Sequence, residues 1–497
     1  MKKGRIIFLN GVTSSGKTSI VEALQEREDI FFYVVANDLF EQMVGDKYLR
    51  EDYWRYLSEA IIMMYQTAKL YSDMGKNVLI DGILVEREEI RPHYEQLLEI
   101  LKDNPLDIVE VYCPIDICRK RNRMREDRYE TQSEEQFELM AKKIKYSVKV
   151  DTSVHSSAEC ADIIVKELFA SEFRGNVYIV QGNKVLYEKE TGFADLANEI
   201  PNTLDTKFAS ASAGKVFVAV GILQLIERGK IKFDDTLGRL LDMDLQNIDP
   251  NVTVEQLLNH TSGVPDYFDE SIMDEYEELW ADYPNYKIRH NSDLLPLFIH
   301  KPMMYPKGEK FQYNNSGYVL LAMMIEKVTG MYFDQYLKEN VFDVCGMKST
   351  GYYELDKLPA KCANNYIYCN DTKDYRTNIF SVDVKGTGAG GAFITVKDIV
   401  SFWTHLLEGN LISKSFVSDM LSKQSGDGAD AEEGYYGYGM WIIDNPNGKD
   451  FAYFQGCDPG VSFISEYNPN NGVLSVLVSN YGDNVWREMR KIRETLY

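Results

Sequence analysis

Long apolar runs are missing from this chain of 497 residues. A membrane-spanning helix needs about 20 consecutive apolar residues, and no run here approaches that, so no membrane partner is expected. Near the N-terminus, basic residues precede Ile6-Ile7-Phe8-Leu9 in the manner of a secretion signal. That run is too short, and a glycine loop follows where a cleavage site would stand; the expectation is a cytoplasmic protein. Positive charge is also scarce. With 54 Lys and Arg against 77 Asp and Glu, the net charge is −23, which argues against nucleic acid or an anionic membrane surface as a partner. A local basic site can still hold a phosphate. Cysteine is sparse and unpatterned: seven residues without close paired spacing exclude a disulfide framework and point to reduced thiols. Nothing in the sequence specifies an oligomeric state.

What is present suffices for more than one core. The hydrophobic share of 44% and charged share of 26% are those of a folded soluble protein, and the length exceeds a single typical domain. The pattern changes character near residues 171–175, which predicts two domains, 1–170 and 173–497.

The first domain alternates strand and helix. Residues 5–10 read as a buried strand, followed by Gly11-Val-Thr-Ser-Ser-Gly16-Lys17-Thr18 and a helix through Gln25. This is a complete phosphate loop in its strand–loop–helix setting. Glycines let the backbone wrap a phosphate, and N–H groups at the helix start stabilise its charge. Gly11, Ser15, Gly16, Lys17 and Thr18 are therefore predicted to bind ATP or another NTP, with Thr18 ligating Mg²⁺. Strands at 31–36, 77–81, 107–113 and 148–151, separated by helices, predict a parallel sheet covered on both faces. Asp38 and Asp81 fall at strand ends, where ligands bind in such sheets. Asp38 can accept a proton from a substrate hydroxyl, and Asp81 can support the metal; a capping or surface role remains open for each. Arg119, Arg121, Arg123, Arg125 and Arg128 cannot all face one ligand from a single helix. Arg121, Arg125 and Arg128 are the candidates for a lid that clamps phosphoryl groups.

Residues 5–169 resemble the chloramphenicol phosphotransferase-like P-loop kinases. The matching pieces are Gly11–Ser19, Ala36-Asn37-Asp38-Leu39-Phe40, Ile80-Asp81, Arg121–Arg128 and Val150-Asp151-Thr152-Ser153. The resemblance implies ATP-dependent phosphorylation of a small-molecule hydroxyl, with Asp38 aligned to the family's catalytic base.

The second domain opens with two strand-like runs flanking Gly182-Asn183, a hairpin signal. Phe208–Phe217 places Ser212 and Lys215 three residues apart at the start of a long apolar run, so both lie on one face of a helix's first turn. A desolvated lysine can take the proton of a serine and make it a nucleophile. Ser14-Ser15-Gly16-Lys17 has the same spacing but belongs to the phosphate loop. Asp266–Tyr286 is rich in acids and aromatics and reads as either a pocket lid or a solvated insertion. Strands near 451–454, 461–467 and 473–479 and a closing helix at 484–496 complete the pattern, with strands from both ends joining one antiparallel sheet.

Residues 173–497 resemble the class C β-lactamase/serine-hydrolase family, which includes D-alanyl peptidases and esterases. The resemblance rests on Ser212-x-x-Lys215, His260-Thr-Ser-Gly263, Tyr313-x-Asn315 and Gly390-Gly391-Ala392-Phe393-Ile394-Thr395. It implies that Ser212 attacks a carbonyl, Lys215 and Tyr313 move the proton, and Asn315 holds Lys215 and the substrate. No cofactor is implied there. The third family motif, Lys-Thr-Gly or His-x-Gly, aligns with Phe454-Gln455-Gly456. Gly456 is kept and the Cys457 N–H can complete an oxyanion hole with that of Ser212, but Phe454 replaces the cation that reads a substrate carboxylate. A small neutral ester or amide therefore suits the site better than a penicillin or a D-Ala-D-Ala peptide.

The predicted architecture is an α/β P-loop kinase domain followed by an α+β β-lactamase-like domain, an antiparallel sheet flanked by helices with a helical subdomain. The predicted function is bifunctional, a serine hydrolase joined to a small-molecule phosphotransferase, both acting on small molecules. The alternative is a kinase carrying a catalytically silent β-lactamase-like sensor.

Overall fold

The structure, a computed structural model, describes residues 3–27, 30–88, 90–124, 131–168, 173–273, 275–369, 371–426, 434–445 and 448–496. The chain divides into two compact units, Met1–Ala170 and Ser171–Tyr497.

The first unit is built on five strands, β1 (Ile6–Asn10), β2 (Tyr33–Ala36), β3 (Val78–Gly82), β4 (Leu106–Tyr112) and β5 (Val148–Asp151). They pair in the order β2-β3-β1-β4-β5, each pair parallel. Side chains of a strand alternate between faces, and β1 uses both. Ile7 and Leu9 pack with Ile20, Leu24 and Ile164 from helices Lys17–Gln25 and Ser157–Leu168. Ile6 and Phe8 pack with Ile61, Met64 and Leu97 from helices Tyr53–Asp73 and His93–Leu101. A parallel sheet needs both faces covered, which explains why β1 reads as an unbroken apolar run. Asp38 does not simply follow a strand: it lies in the first turn of a short helix, Asn37–Glu41, where an acidic residue is favoured by the helix dipole.

The second unit is organised around a seven-stranded antiparallel sheet. Its strands run in the spatial order Tyr435–Tyr436, Trp441–Ile443, Phe451–Asp458, Val461–Asn468, Val473–Ser479, Gly175–Gln181 and Lys184–Thr191. The chain's first and last strands of this unit thus share one sheet. Leu477 and Ile464 face the closing helix Val485–Leu496 through Val485 and Met489. Phe454, Phe463, Val476 and Val478 face the other way, into the large core with Phe402 and Trp403 of helix Val396–Glu408. The helix Lys215–Glu227 runs through that core with every residue from Lys215 to Leu225 buried. A helix that is apolar on all sides belongs in an interior, and this burial positions its N-terminal lysine away from water.

Between residues 276 and 297 the chain forms three short 3₁₀ turns rather than regular helices. Pro284 and Pro296 explain the breaks, since proline removes a helix hydrogen bond and clashes with the preceding turn. Among the described residues no helix is long and apolar enough to cross a membrane.

Candidate active sites

The second unit holds a cavity of about 620 Å³ with Ser212 in its wall. Ser212 sits in the 3₁₀ turn Ala211–Gly214 that leads into helix Lys215–Glu227. Ala211 adopts a left-handed φ of 47°, uncommon for a residue with a side chain, and this kink places the serine at the helix start. Two close approaches hold the turn. A Cβ on Gly456 would lie 2.2 Å from the Ser210 carbonyl oxygen and 2.8 Å from the Ser212 nitrogen. A Cβ on Gly390 would lie 2.4 Å from the Ala211 carbonyl oxygen. Both positions require glycine because backbone presses on backbone.

Lys215 Nζ donates to Ser212 Oγ at 3.0 Å, to Asn315 Oδ1 at 2.8 Å and to the Ala389 carbonyl at 2.5 Å. Burial lowers its pKa from the ordinary lysine value to about 8, against the pull of the carboxylates of Glu270, Asp266 and Asp458. Tyr313 hydrogen-bonds Ser212 and has its own pKa raised by burial. Its ring lies 4.9 Å from Lys215 Nζ and stacks on Trp441. Ser212, Lys215, Tyr313 and Asn315, far apart in the chain, meet here.

Of the supports of this group, His260 belongs to the His260-Thr-Ser-Gly263 match, whereas Asp266 is marked by no motif. Asp266 is buried and accepts from the N–H of Asn315 at 2.8 Å and from the N–H and Oγ of Ser316 at 3.0 Å. It caps the helix Asn315–Thr329, satisfying N–H groups that have no partner within the helix, and burial pushes its own pKa up to about 6. Asn315 Nδ2 donates to Asp266 at 3.3 Å and to the Phe268 carbonyl at 3.2 Å, which turns Oδ1 toward Lys215. His260 accepts the Asn314 N–H at Nδ1, 3.1 Å, and lies against the Tyr313 ring, centroids 4.5 Å apart. Burial keeps that histidine neutral by holding its pKa well below the usual range. The partners of Asp266 are 49 and 50 residues away, so no local pattern marks it.

Phe454, Gly456 and Asp458 alternate along one strand and share a face. Phe454 is buried against Phe402, Trp403 and Phe463, Gly456 meets the Ser212 turn, and Asp458 lines the cavity beside Cys457. The place of the expected basic residue is thus part of the core. Of the two readings of the segment after Asp266, its packing agrees with the one that places it over a pocket: Tyr267, Phe268 and Tyr276 form a wall of the cavity, and the Tyr276 hydroxyl donates to Asp383 at 3.3 Å.

In the first unit a cavity of about 560 Å³ collects Gly16, Lys17, Thr18, Asp38, Asp81 and Arg121. Lys17 Nζ donates back to the carbonyls of Gly11 and Val12 at 2.8 and 2.9 Å. Thr18 Oγ1 donates to Asp81 Oδ2 at 3.1 Å, and burial raises the Asp81 pKa. Arg121 donates to Thr152 Oγ1 at 2.9 Å and to the Thr152 carbonyl at 2.8 Å, so it braces the loop that a phosphate would enter. Arg125 and Arg128 lie outside the described residues. The loop fits a polyphosphate: Gly16 has φ 102°, and the buried hydroxyls of Ser14 and Ser15 have no hydrogen-bond partner among the described residues. No cluster of three or more His, Cys, Asp or Glu among the described residues could hold a metal alone. A Mg²⁺ that keeps waters and phosphate oxygens needs only one or two protein ligands, and Thr18 with Asp81 fits that requirement.

With both sites described, the relatives of the chain have a structural meaning. The family described as Beta-lactamase matches residues 167–495. The chain belongs to the β-lactamase family. Residues 4–169 match the family described as chloramphenicol phosphotransferase-like protein. The chain therefore joins a chloramphenicol phosphotransferase-like domain to a serine hydrolase domain of β-lactamase fold.

A penicillin-binding protein from Bacillus halodurans is similar in structure, with 39% sequence identity and a TM-score of 0.61 over 65% of this chain and 97% of that one. Penicillin-binding protein 4* of Bacillus subtilis is 29% identical over 59% of this chain, which spans only 64% of that relative's length. A teichoic acid D-alanine hydrolase of Staphylococcus aureus is 27% identical over 63% of this chain and 72% of its own length.

Proposed function

We propose that the second unit hydrolyses a small ester or amide through an acyl-enzyme on Ser212. The observation that carries this reading is the buried Lys215 amine, 3.0 Å from Ser212 Oγ, with its pKa lowered to about 8. A neutral amine there accepts the serine proton as Oγ bonds to the carbonyl carbon. The carbonyl oxygen gathers negative charge and is stabilised by the N–H groups of Ser212 and Cys457. Tyr313 relays the proton to the departing alcohol or amine, and Asn315 holds Lys215 in place. Water then cleaves the acyl–serine bond by the reverse proton path, releasing the acid and restoring the serine. The likeness to an enzyme named for D-alanine hydrolysis from teichoic acid supports ester deacylation as the reaction class.

Intact-mass analysis after exposure to a neutral fluorophosphonate tests the nucleophile. A single adduct that is absent in Ser212→Ala is expected; no adduct on the folded wild-type protein would sink the hydrolase reading and favour a silent binding domain.

The first unit is proposed to transfer a phosphoryl group to a small-molecule hydroxyl. Backbone N–H groups of the loop from Ser14 to Thr18 and the Lys17 ammonium would hold the nucleotide phosphates, and Thr18 with Asp81 would hold Mg²⁺. When bound, MgATP supplies the phosphoryl group and charge compensation for its transfer. Asp38, in the same cavity, receives the hydroxyl proton. ATP binding measured by calorimetry and lost in Lys17→Ala is the expected result.

A further inference from the structure

Backbone N–H groups suffice to cradle a phosphate, yet a second element is tied to the phosphate loop of the first unit. Helix Gln132–Leu139 holds both backbone groups of Thr13. The Ser133 hydroxyl donates to the Thr13 carbonyl at 3.0 Å, and Gln136 Oε1 accepts the Thr13 N–H at 2.5 Å. Ser133 is fully buried and is fixed in turn by Asn122, also fully buried, whose Nδ2 donates to its Oγ at 2.8 Å. At its other end the helix runs onto the segment that extends β3. The Glu86 N–H donates to the Leu139 carbonyl at 2.8 Å, and the Ala141 N–H to the Leu84 carbonyl at 2.8 Å. Anchored at both ends, the helix is a fixed part of the site.

Gln136 is the residue of this helix that lines the cavity. A backbone N–H can donate only to the amide oxygen, so the bond from Thr13 fixes which way the side-chain amide is turned. That leaves Nε2, with two N–H donors, which hydrogen-bonds nothing among the described residues. In the sheet order β2-β3-β1-β4-β5 the loop after β1 is central. The ends of β2 and β3 bring Asp38 and Asp81 to the cavity from one side, and the segments after β4 and β5 bring Arg121 and Thr152 from the other. A phosphoryl group on its way to an acceptor lies on the Asp38 side. The helix of Gln136 reaches from Thr13 toward that side, where Ile83 of the β3 extension also lines the cavity.

Resting on the phosphotransferase reading of the first unit, we infer that Gln136 reads the terminal phosphate of a bound nucleoside triphosphate. Its Oε1 stays on Thr13, and its Nε2 donates to the phosphate that a diphosphate lacks. Gln136 thereby makes the site select triphosphate over diphosphate, which the loop backbone alone does only weakly. The same contact could serve as a plug, with Oε1 occupying an amide that phosphate needs, but a helix anchored at both ends is not built to withdraw. The two roles differ in sign: removing a plug strengthens nucleotide binding, and removing a donor weakens it.

Calorimetric titration of the full chain with Mg²⁺ measures Kd for ADP and for AMP-PNP, a triphosphate analogue whose terminal phosphate is not transferred. ADP binding by the wild type, lost in Lys17→Ala, reports the nucleotide reading by itself; its absence would sink that reading, and this inference with it. With ADP bound, the wild type is expected to hold AMP-PNP more tightly than ADP. Gln136→Ala should weaken AMP-PNP by roughly ten- to a hundredfold, the range for a charge-assisted hydrogen bond, and ADP by less than about threefold. Gln136→Glu keeps an oxygen for the Thr13 N–H, removes both donors and adds negative charge. Its AMP-PNP affinity should fall at least as far as that of the alanine variant. A glutamate variant with the wild-type preference would reduce Gln136 to a support for Thr13 and overturn the inference. An AMP-PNP-to-ADP ratio unchanged in Gln136→Ala, or tighter AMP-PNP binding there, would overturn it equally. Should the alanine variant lose ADP binding through a misplaced loop, the glutamate variant decides alone.

Discussion

Lys215 shows how burial creates reactivity. The same apolar helix that stabilises the core removes water from the amine, so its charged form loses hydration and its pKa falls to about 8. In the proposed hydrolysis the amine must be neutral to accept the Ser212 proton, so that activity would require its deprotonation. For a neutral ester, kcat/KM is expected to rise roughly tenfold per pH unit below about 8 and level off above it; a pH–rate profile on p-nitrophenyl acetate checks this. Lys215→Arg keeps the charge and stays protonated, and should lower that rate by at least about a thousandfold. Gly456 makes an independent case. An alanine there would place its Cβ 2.2 Å from the Ser210 carbonyl oxygen, forcing strand and nucleophile apart. A displacement of about 1 Å costs on the order of a hundredfold, so fluorophosphonate labelling of Gly456→Ala should slow by about that factor while its near-UV circular dichroism stays close to wild type.

The elements carry the site through their ends. Helix Asn315–Thr329 begins with the amide that holds Lys215, and the carboxylate of Asp266 caps it from a distant loop. Asp266→Ala leaves the buried N–H groups of Asn315 and Ser316 without this acceptor, at a cost of about 2–4 kcal/mol. Denaturant titration followed by tryptophan fluorescence should register that loss, with a matching fall in kcat as Asn315 loses its orientation. The strand Phe451–Asp458 has a different task on each residue of its inner face: Phe454 fills core, Gly456 admits the nucleophile turn, and Asp458 meets the ligand space. One strand therefore joins core packing to the cavity wall, because period-two geometry fixes which residues share a face.

Each of the two units has its own sheet and its own hydrophobic clusters. Their chemistries are expected to be separable by single substitutions. Lys17→Ala should abolish ATP-dependent phosphoryl transfer and leave ester hydrolysis at its wild-type rate, and Ser212→Ala should do the reverse. Coupled assays on the full chain would reveal any departure from this pattern. MgATP bound as proposed to the folded first unit should stabilise that unit by about 2.7 kcal/mol at a concentration a hundred times its Kd. Differential scanning calorimetry would detect this as an upward shift of the transition lost in Lys17→Ala.

The chain's local patterns were enough to determine its division into a parallel α/β unit and an antiparallel α+β unit, and to mark Ser212, Lys215, the phosphate loop and Gly456. Those features are short-range: a helical turn spaces Ser212 from Lys215, a strand–loop–helix frames Lys17, and unbroken apolar runs mark strands buried on both faces. Only the tertiary structure decided what surrounds them. Asp266 acts on residues 49 and 50 positions away, the His260 ring lies tilted against that of Tyr313, and Asp458 and Asp383 line one cavity from separate segments. In the sequence the three aspartates are ordinary acidic residues in an acidic chain, whereas His260 stands in the His260-Thr-Ser-Gly263 match. Burial removes water from them and gives each carboxylate its raised pKa, and burial depends on the packing of the whole domain rather than on neighbours in the chain.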